Sequence, residues 1–247
     1  MVGVRTIGDE FAGFKLAAQV KATPDAEVWK AVRRDGYPVA LKLALEGSSA
    51  ARRLLHEGAA IRLVASPGTV ACEGVGTESG TTYLVLDWCG GGSLKERIEQ
   101  GDLGVVESRR LMLQLLSTLQ ATERAQVVHR DIKPSNILFT DEGKVRLADF
   151  GIALLPGEQP SRTRPVGTDG YMSPEQAVCG DVDGRSDLYS LGCVFRECLA
   201  DRSDVPASLW RFIDGLTAGD KVFRPRTAAI SRAELLRLGE DGRILVS

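Results

Sequence analysis

The stretch His129-Arg-Asp-Ile-Lys-Pro-Ser-Asn136, followed by Asp149-Phe-Gly151, decides how this chain is read. It gathers two carboxylates (Asp131, Asp149), one lysine (Lys133) and one amide (Asn136) into a short interval. Phosphoryl transfer needs that set: a carboxylate to orient a hydroxyl, a cation against negative charge, and hard oxygen donors for a divalent metal. A string with so many specified positions is a strong signal when the motifs around it also appear in order.

Working outward, residues 39–43 alternate, which predicts a strand with Lys42 facing away from Leu41 and Leu43. Residues 14–20, 27–33, 70–75 and 83–88 read as four more strands, with Gly36-Tyr-Pro38 as a turn. Residues 49–64 predict a helix, capped by Ser48 or Ser49 and ended by Ser66-Pro-Gly68. Beyond Gly90-Gly-Gly92, read as a flexible break, the pattern turns helical. Ser93-Leu-Lys-Glu96 is a capping box, and residues 108–126 put Met112, Leu115, Leu116 and Leu119 on one helical face. Ser173-Pro174 opens a further helix, 186–200 is an apolar one, and 207–217 and 231–238 follow. The last is expected to start at a second box, Ser231-Arg-Ala-Glu234. A small β part before a larger α part places a cleft near residues 86–92.

Composition excludes several classes. The chain has 247 residues, 43% hydrophobic and 26% charged, which is ordinary for a soluble globular protein. A net charge of −2 gives no signal for nucleic-acid binding. Five cysteines without a C-x-x-C pair read as free thiols of a reducing cytoplasm. No apolar run approaches a membrane span, and Met1-Val-Gly-Val-Arg reads as neither signal peptide nor myristoylation site. The expected location is therefore cytoplasmic. With only His56 and His129 present, His-based nucleophilic catalysis and His-rich metal sites are nearly excluded.

Val39-Ala-Leu-Lys42, Ser173-Pro-Glu175, Asp187-Leu-Tyr-Ser-Leu-Gly192 and Asp220-Lys-Val-Phe-Arg-Pro225 flank the opening stretch in order, from about residue 11 to 238. Through them the chain resembles the protein kinase family, in particular the bacterial serine/threonine type. The resemblance implies an α+β bilobal fold. Its N-lobe, residues 1–88, would be a small five-stranded antiparallel sheet with one helix, and its C-lobe, residues 89–247, larger and mainly α. It implies transfer of the γ-phosphate of ATP, with Mg²⁺ or Mn²⁺, to Ser/Thr hydroxyls of protein substrates.

Residue by residue, the resemblance makes Asp131 the acceptor of the hydroxyl proton and places Lys133 beside the γ-phosphate. Asn136 and Asp149 are the metal ligands. Lys42 holds phosphates and is steadied by Glu57 rather than Glu46. Leu86 is the gatekeeper, and the backbone of Asp87 and Cys89 meets adenine, with Val28, Ala40 and Leu138 around it. Phe150-Gly151 anchors and hinges the metal aspartate. Thr163 or Ser161 is the expected phosphorylation site, facing Arg130, Arg162 and Arg164. Thr168 lies near Asp131, Glu175 pairs with Arg224, and Asp187 braces the His129–Arg130 turn.

Two departures stand out. The family's glycine-rich loop is degenerate: its glycine positions fall at Lys21, Thr23 and Ala26, and Pro24 and Asp25 lie between them. This weakens backbone clasping of phosphate, with Lys21 as a compensating cation. The segment Ala200-Asp-Arg-Ser-Asp-Val-Pro206 is too short for a helix that relatives usually have. Either Leu209, Trp210, Phe212 and Ile213 then pack inward, or a homodimer or regulatory partner covers them, with Trp210 as anchor. Both departures keep a pseudokinase, a nucleotide- or partner-binding regulatory module, as the alternative. A small-molecule kinase would lack Ser173-Pro-Glu175 and the Arg224 partner.

Overall fold

The computed structural model describes residues 5–101 and 103–238. Its N-terminal half is one antiparallel sheet of β1 (Glu10–Phe11), β2 (Phe14–Ala22), β3 (Ala26–Val32), β4 (Pro38–Leu45), β5 (Cys72–Glu78) and β6 (Thr81–Asp87), ordered β1-β2-β3-β4-β6-β5. The five expected strands are all present, within a few residues of the expected bounds. The sixth, β1, is a two-residue addition folded onto β2 by Ala12 and Gly13, both at positive φ. Alternation along β4 works as the sequence implies. Leu41 and Leu43 are fully buried in a cluster with Leu16 and Trp29, whereas Lys42 is paired in register with Val28 and Leu84 and points to the other face.

Helix α1 (Ser49–Val64) covers that other face. Ser48 caps it, its Oγ accepting from Ala51 N at 3.0 Å, and Ala65 ends it in the left-handed conformation. Leu54, Gly58 and Ile61 pack inward with Leu84.

The C-terminal half carries α2 (Leu94–Gln100), α3 (Val105–Arg124), a small hairpin of β7 (Ile137–Phe139) and β8 (Val145–Leu147), then α4 (Pro174–Ala177), α5 (Gly184–Leu199), α6 (Ala207–Leu216) and α7 (Ala228–Arg237). The capping box at Ser93 and Glu96 forms as read, and Ser173 takes the N-cap position before Pro174, its N and Oγ both donating to Gln176 Oε1. Helix α5 begins earlier than expected because Asp183 caps it, its Oδ1 accepting from Arg185 N at 2.9 Å.

The box expected at Ser231 is not a cap. Helix α7 starts a turn earlier on Thr227, whose Oγ1 accepts from Ile230 N, and Ser231 is buried inside the helix with its hydroxyl on Thr227 O. The extra turn is stabilised from outside the helix: Glu123 on α3 accepts from Ala228 N at 2.7 Å.

Gly90-Gly-Gly92 is also not a flexible break. Gly91 N donates to Phe139 O, and Phe139 N donates to Gly92 O, both at 2.9 Å. A methyl group at Gly91 would lie 2.5 Å from the Thr140 carbonyl oxygen, so glycine is required by close approach. Gly91→Ala is expected to destabilise the fold by about 1–3 kcal/mol, checked by thermal melting. An unchanged melting temperature would refute this packing role.

Residues 200–206 form no helix. Leu209, Phe212, Ile213 and Leu216 of α6 are buried against the core instead, and Trp210 is half-buried against it. The inward-packing outcome accounts for four of these five apolar side chains. Among the described residues, no helix is long and apolar enough to cross a membrane.

Candidate active site

The site lies between the sheet and the helical part, where β4, α1, β6, the β7–β8 hairpin and the segments flanking it converge. Lys42 on β4 donates to both carboxylate oxygens of Glu57 on α1, at 2.7 and 2.8 Å, and lies 3.8 Å from Asp149 Oδ1. Burial disfavours the Lys42 charge, but Glu57 and Asp149 outweigh it and raise its pKa. Glu46, the rival partner, is exposed in a turn.

Asp131 is the centre of a second cluster. Thr168 Oγ1 donates to its Oδ1 at 2.6 Å, and Lys133 Nζ donates to its Oδ2 at 2.7 Å and to Thr168 Oγ1 at 2.7 Å. Asn136 Nδ2 adds bonds to Asp131 O and Oδ2 at 2.9 and 3.1 Å. The asparagine nitrogen is therefore engaged, and its carbonyl oxygen is the atom left for a cation. Asp149 is the other hard donor. Burial would protonate it, yet the charge of Lys42 prevails and lowers its pKa.

The backbone beneath is held by Asp187 on α5, which accepts from His129 N at 2.8 Å and Arg130 N at 2.9 Å. His129 is fully buried; Nε2 faces Ala148 O at 3.0 Å and Nδ1 accepts from Asp131 N at 3.2 Å. A ring that donates from one nitrogen and accepts at the other is neutral, and burial, which lowers its pKa, acts the same way. Phe150, also fully buried, meets the His129 ring edge-on at 4.4 Å. Arg130 and Asp149 both have positive φ, at 67° and 66°, so this support holds non-glycine residues in a conformation they rarely adopt.

Two adjoining cavities open on these residues. One, of about 520 Å³, is lined by Val20, Val28, Ala40, Leu86, Cys89 and Leu138 among others, with Lys42, Asn136 and Asp149 at its inner end. It has the apolar walls and few polar groups of a small-molecule site. Asp87 N is taken by Ala71 O at 3.1 Å, so the backbone group Asp87 offers is its carbonyl. The other, of about 280 Å³, is lined by Lys21, Thr23, Ala26, Lys42, Glu57, Asp131 and Asp149.

Each site residue singled out in the sequence thus falls in or beside one cleft. Arg224, 3% exposed, pairs both ends with Glu175 at 2.7 and 2.8 Å. Of the arginines expected around Thr163, Arg162 pairs with Asp181 at 3.0 Å, and Arg130 donates to Ile152 O and Ala153 O. Arg164 lines a small hollow with Arg130 and Ser161. Sequence reasoning missed Gln176, whose Nε2 donates to Arg130 O and Val166 O at 3.0 and 2.9 Å and ties the 166–176 segment to the loop that carries Asp131. Only its place just after Ser173-Pro-Glu175 could have drawn attention to it.

Residues 25–213 match the family described as Protein kinase domain, so the chain belongs to the protein kinase family. Its relatives include PknB of Bifidobacterium longum, named a probable serine/threonine-protein kinase, at 41% identity over 52% of this chain and 20% of the relative. The serine/threonine-protein kinase PknL of Mycobacterium tuberculosis is 37% identical over 60% of this chain and 38% of its own length. The serine/threonine-protein kinase PrkC of Bacillus subtilis is 37% identical over 61% of this chain and 24% of its own length. The matched stretches thus cover between 20% and 38% of these relatives.

Proposed function

We propose that the chain is the catalytic domain of a protein serine/threonine kinase, transferring the γ-phosphoryl group of Mg–ATP to a protein hydroxyl. The observation that carries this is the Asp131 cluster: a carboxylate facing a threonine hydroxyl at 2.6 Å, with a lysine bonded to both. Thr168 holds the place of an incoming hydroxyl, so Asp131 is positioned to orient such a group and accept its proton. Lys133 then balances charge where the phosphoryl group transfers.

Metal and nucleotide fit the donors present. Asn136 and Asp149 supply two hard oxygens, and among the described residues no cluster of three or more His, Cys, Asp or Glu could hold a metal. The two residues would therefore hold Mg²⁺ or Mn²⁺ jointly with phosphate oxygens. When bound, the metal neutralises phosphate charge. Lys42, held by Glu57, orients the phosphates, and the apolar walls around Leu86 and Leu138 take the base. Ser173-Pro-Glu175 with its Arg224 partner favours a protein over a small-molecule substrate.

Incubation with labelled ATP, Mg²⁺ and a generic basic protein, followed by mapping of the labelled residues, tests this; absence of label in both substrate and chain would refute it. One observation favours a second reading, a non-catalytic nucleotide-binding module: the tight turn at residues 23–26 offers phosphate few free amides. The same assay separates the two.

Phosphate on the activation segment follows from the same reading. Ser161 and Thr163 are exposed or partly so, their hydroxyls 3.5 Å apart, with Arg164 next in the chain. Incubation with Mg–ATP is expected to phosphorylate Thr163 or Ser161, and Thr163→Ala to lower activity toward other substrates. Mass spectrometry showing an unmodified segment in fully active enzyme would count against it.

A further inference from the structure

The roof of the phosphate-side cavity has almost no backbone N–H to give. Thr23 N donates to Ala26 O at 2.8 Å, Ala26 N donates to Thr23 Oγ1 at 3.1 Å, and Pro24 has no N–H. Only Asp25 remains, behind a carboxylate of its own. Two cations line this cavity without an ion pair or hydrogen bond among the described residues: Lys21 on β2 and Arg53 on α1, both exposed. The other charges there are matched. Lys42 has Glu57 and Asp149, Asp131 has Lys133, and Glu27 has Arg5 and the Trp29 indole N–H. Arg53 stands one helical turn before Glu57, and a methyl group at Gly151 would lie 3.9 Å from Arg53 Cβ. The arginine stem therefore starts beside the Asp149-Phe-Gly151 segment.

We propose that Arg53, with Lys21 contributed by β2, forms a side-chain clamp for the polyphosphate of the nucleotide, in place of backbone amides the β2–β3 turn does not offer. This rests on the kinase reading above. A guanidinium binds phosphate oxygens through two parallel N–H bonds, which a lysine alone cannot do. Because Arg53 and Glu57 share α1, clamping phosphate also holds the helix in the position that keeps Lys42 paired. A phosphate on Thr163 is the other source of the same chemistry. The nucleotide is favoured because Arg53 lines the cavity that contains Lys42 and Asp149, whereas the hollow beside Ser161 is lined by Arg130 and Arg164.

The test is calorimetric binding of Mg–ATP and of adenosine to phosphatase-treated chain: wild type, Arg53→Ala, Arg53→Gln, Arg53→Lys, Lys21→Ala and the Lys21→Ala/Arg53→Ala pair. Arg53→Ala and Arg53→Gln are expected to weaken Mg–ATP about 10-fold, the scale of one charge-assisted hydrogen bond. Arg53→Lys should recover part of this, the double variant should lose more, and adenosine should bind all of them equally. If Mg–ATP binds Arg53→Ala and Arg53→Gln as tightly as wild type, the clamp is wrong, while phosphotransfer by wild type would leave the kinase reading intact. Wild type binding Mg–ATP no more tightly than adenosine would overturn the clamp, and absence of phosphotransfer as well would overturn the kinase reading. Unchanged Mg–ATP affinity with activity lost only after Thr163 is phosphorylated would assign Arg53 to the loop phosphate and also overturn the proposal.

Discussion

Asp131→Asn lowers kcat by at least about 100-fold, the low end for a positioned acid–base group, while Mg–ATP binding is retained. The carboxylate receives donors from three side chains at once, Thr168, Lys133 and Asn136, and so is the one acceptor around which this part of the cleft is organised. An amide has nearly the same shape but cannot take a proton, and its NH₂ would face donors. In the proposed reading the nucleotide would be held by other residues, chiefly Lys42 and the walls of the larger cavity. Single-turnover phosphotransfer beside equilibrium ATP binding checks both halves. Wild-type transfer by the purified variant would remove Asp131 from the chemistry.

Arg224→Ala is expected to destabilise the fold by about 3–5 kcal/mol, the cost of breaking a buried ion pair from one side. The Arg224 guanidinium is completely satisfied: Glu175 takes two bonds, and the carbonyls of Ala218, Arg185 and Gly219 accept at 2.8, 3.0 and 3.1 Å. Tyr189 lies 4.9 Å beneath it. Truncation removes this donor from the three carbonyls and leaves the Glu175 carboxylate with Ser186 Oγ alone of its two side-chain donors. Denaturant unfolding measures the loss, and a change under about 1 kcal/mol would place the pair among ordinary surface bridges.

The same pair has a pH signature. Burial pushes the Glu175 carboxyl up, but hydrogen bonds from Arg224 and Ser186 outweigh this and hold it at about 2, against an ordinary 4.5. A depressed folded pKa stabilises above the unfolded value, and that contribution disappears as pH falls from about 4.5 toward about 2. Glu175→Gln should flatten this part of the stability profile. An unchanged acid limb would mean that Glu175 contributes nothing there.

Much of this site was legible in the chain because the signals are local. Alternation over residues 39–43 is enough to turn Lys42 away from Leu41 and Leu43, since a strand has a period of two. The spacing from His129 to Asn136 is enough to collect Asp131, Lys133 and Asn136 in one loop, since no long-range fold is needed to bring neighbours together. Helix α1 was read with its bounds because Ser48, the Ala/Leu run and Pro67 mark a start and an end within one window.

Other features depend on segments that meet only after folding. The cap of α7 was misread because S-x-x-E is a local pattern, whereas the extra turn from Thr227 is held by Glu123, far back on α3. Gly90-Gly-Gly92 looked mobile because flexibility is what glycine means locally; the carbonyl of Thr140, which makes it obligatory, lies on the β7–β8 turn. Gln176 carries no local signal for its bonds to Arg130 and Val166.

The sequence by itself determined the family of the fold and the chemical groups of the cleft, because motif spacing and hydrophobic period act within a few residues. Tertiary structure alone decided which charges are left over. Among the described residues, Lys21 and Arg53 have no ion pair beside a cavity whose other charges are matched, because pairing is a property of distance between elements, and β2 and α1 meet only in the folded chain.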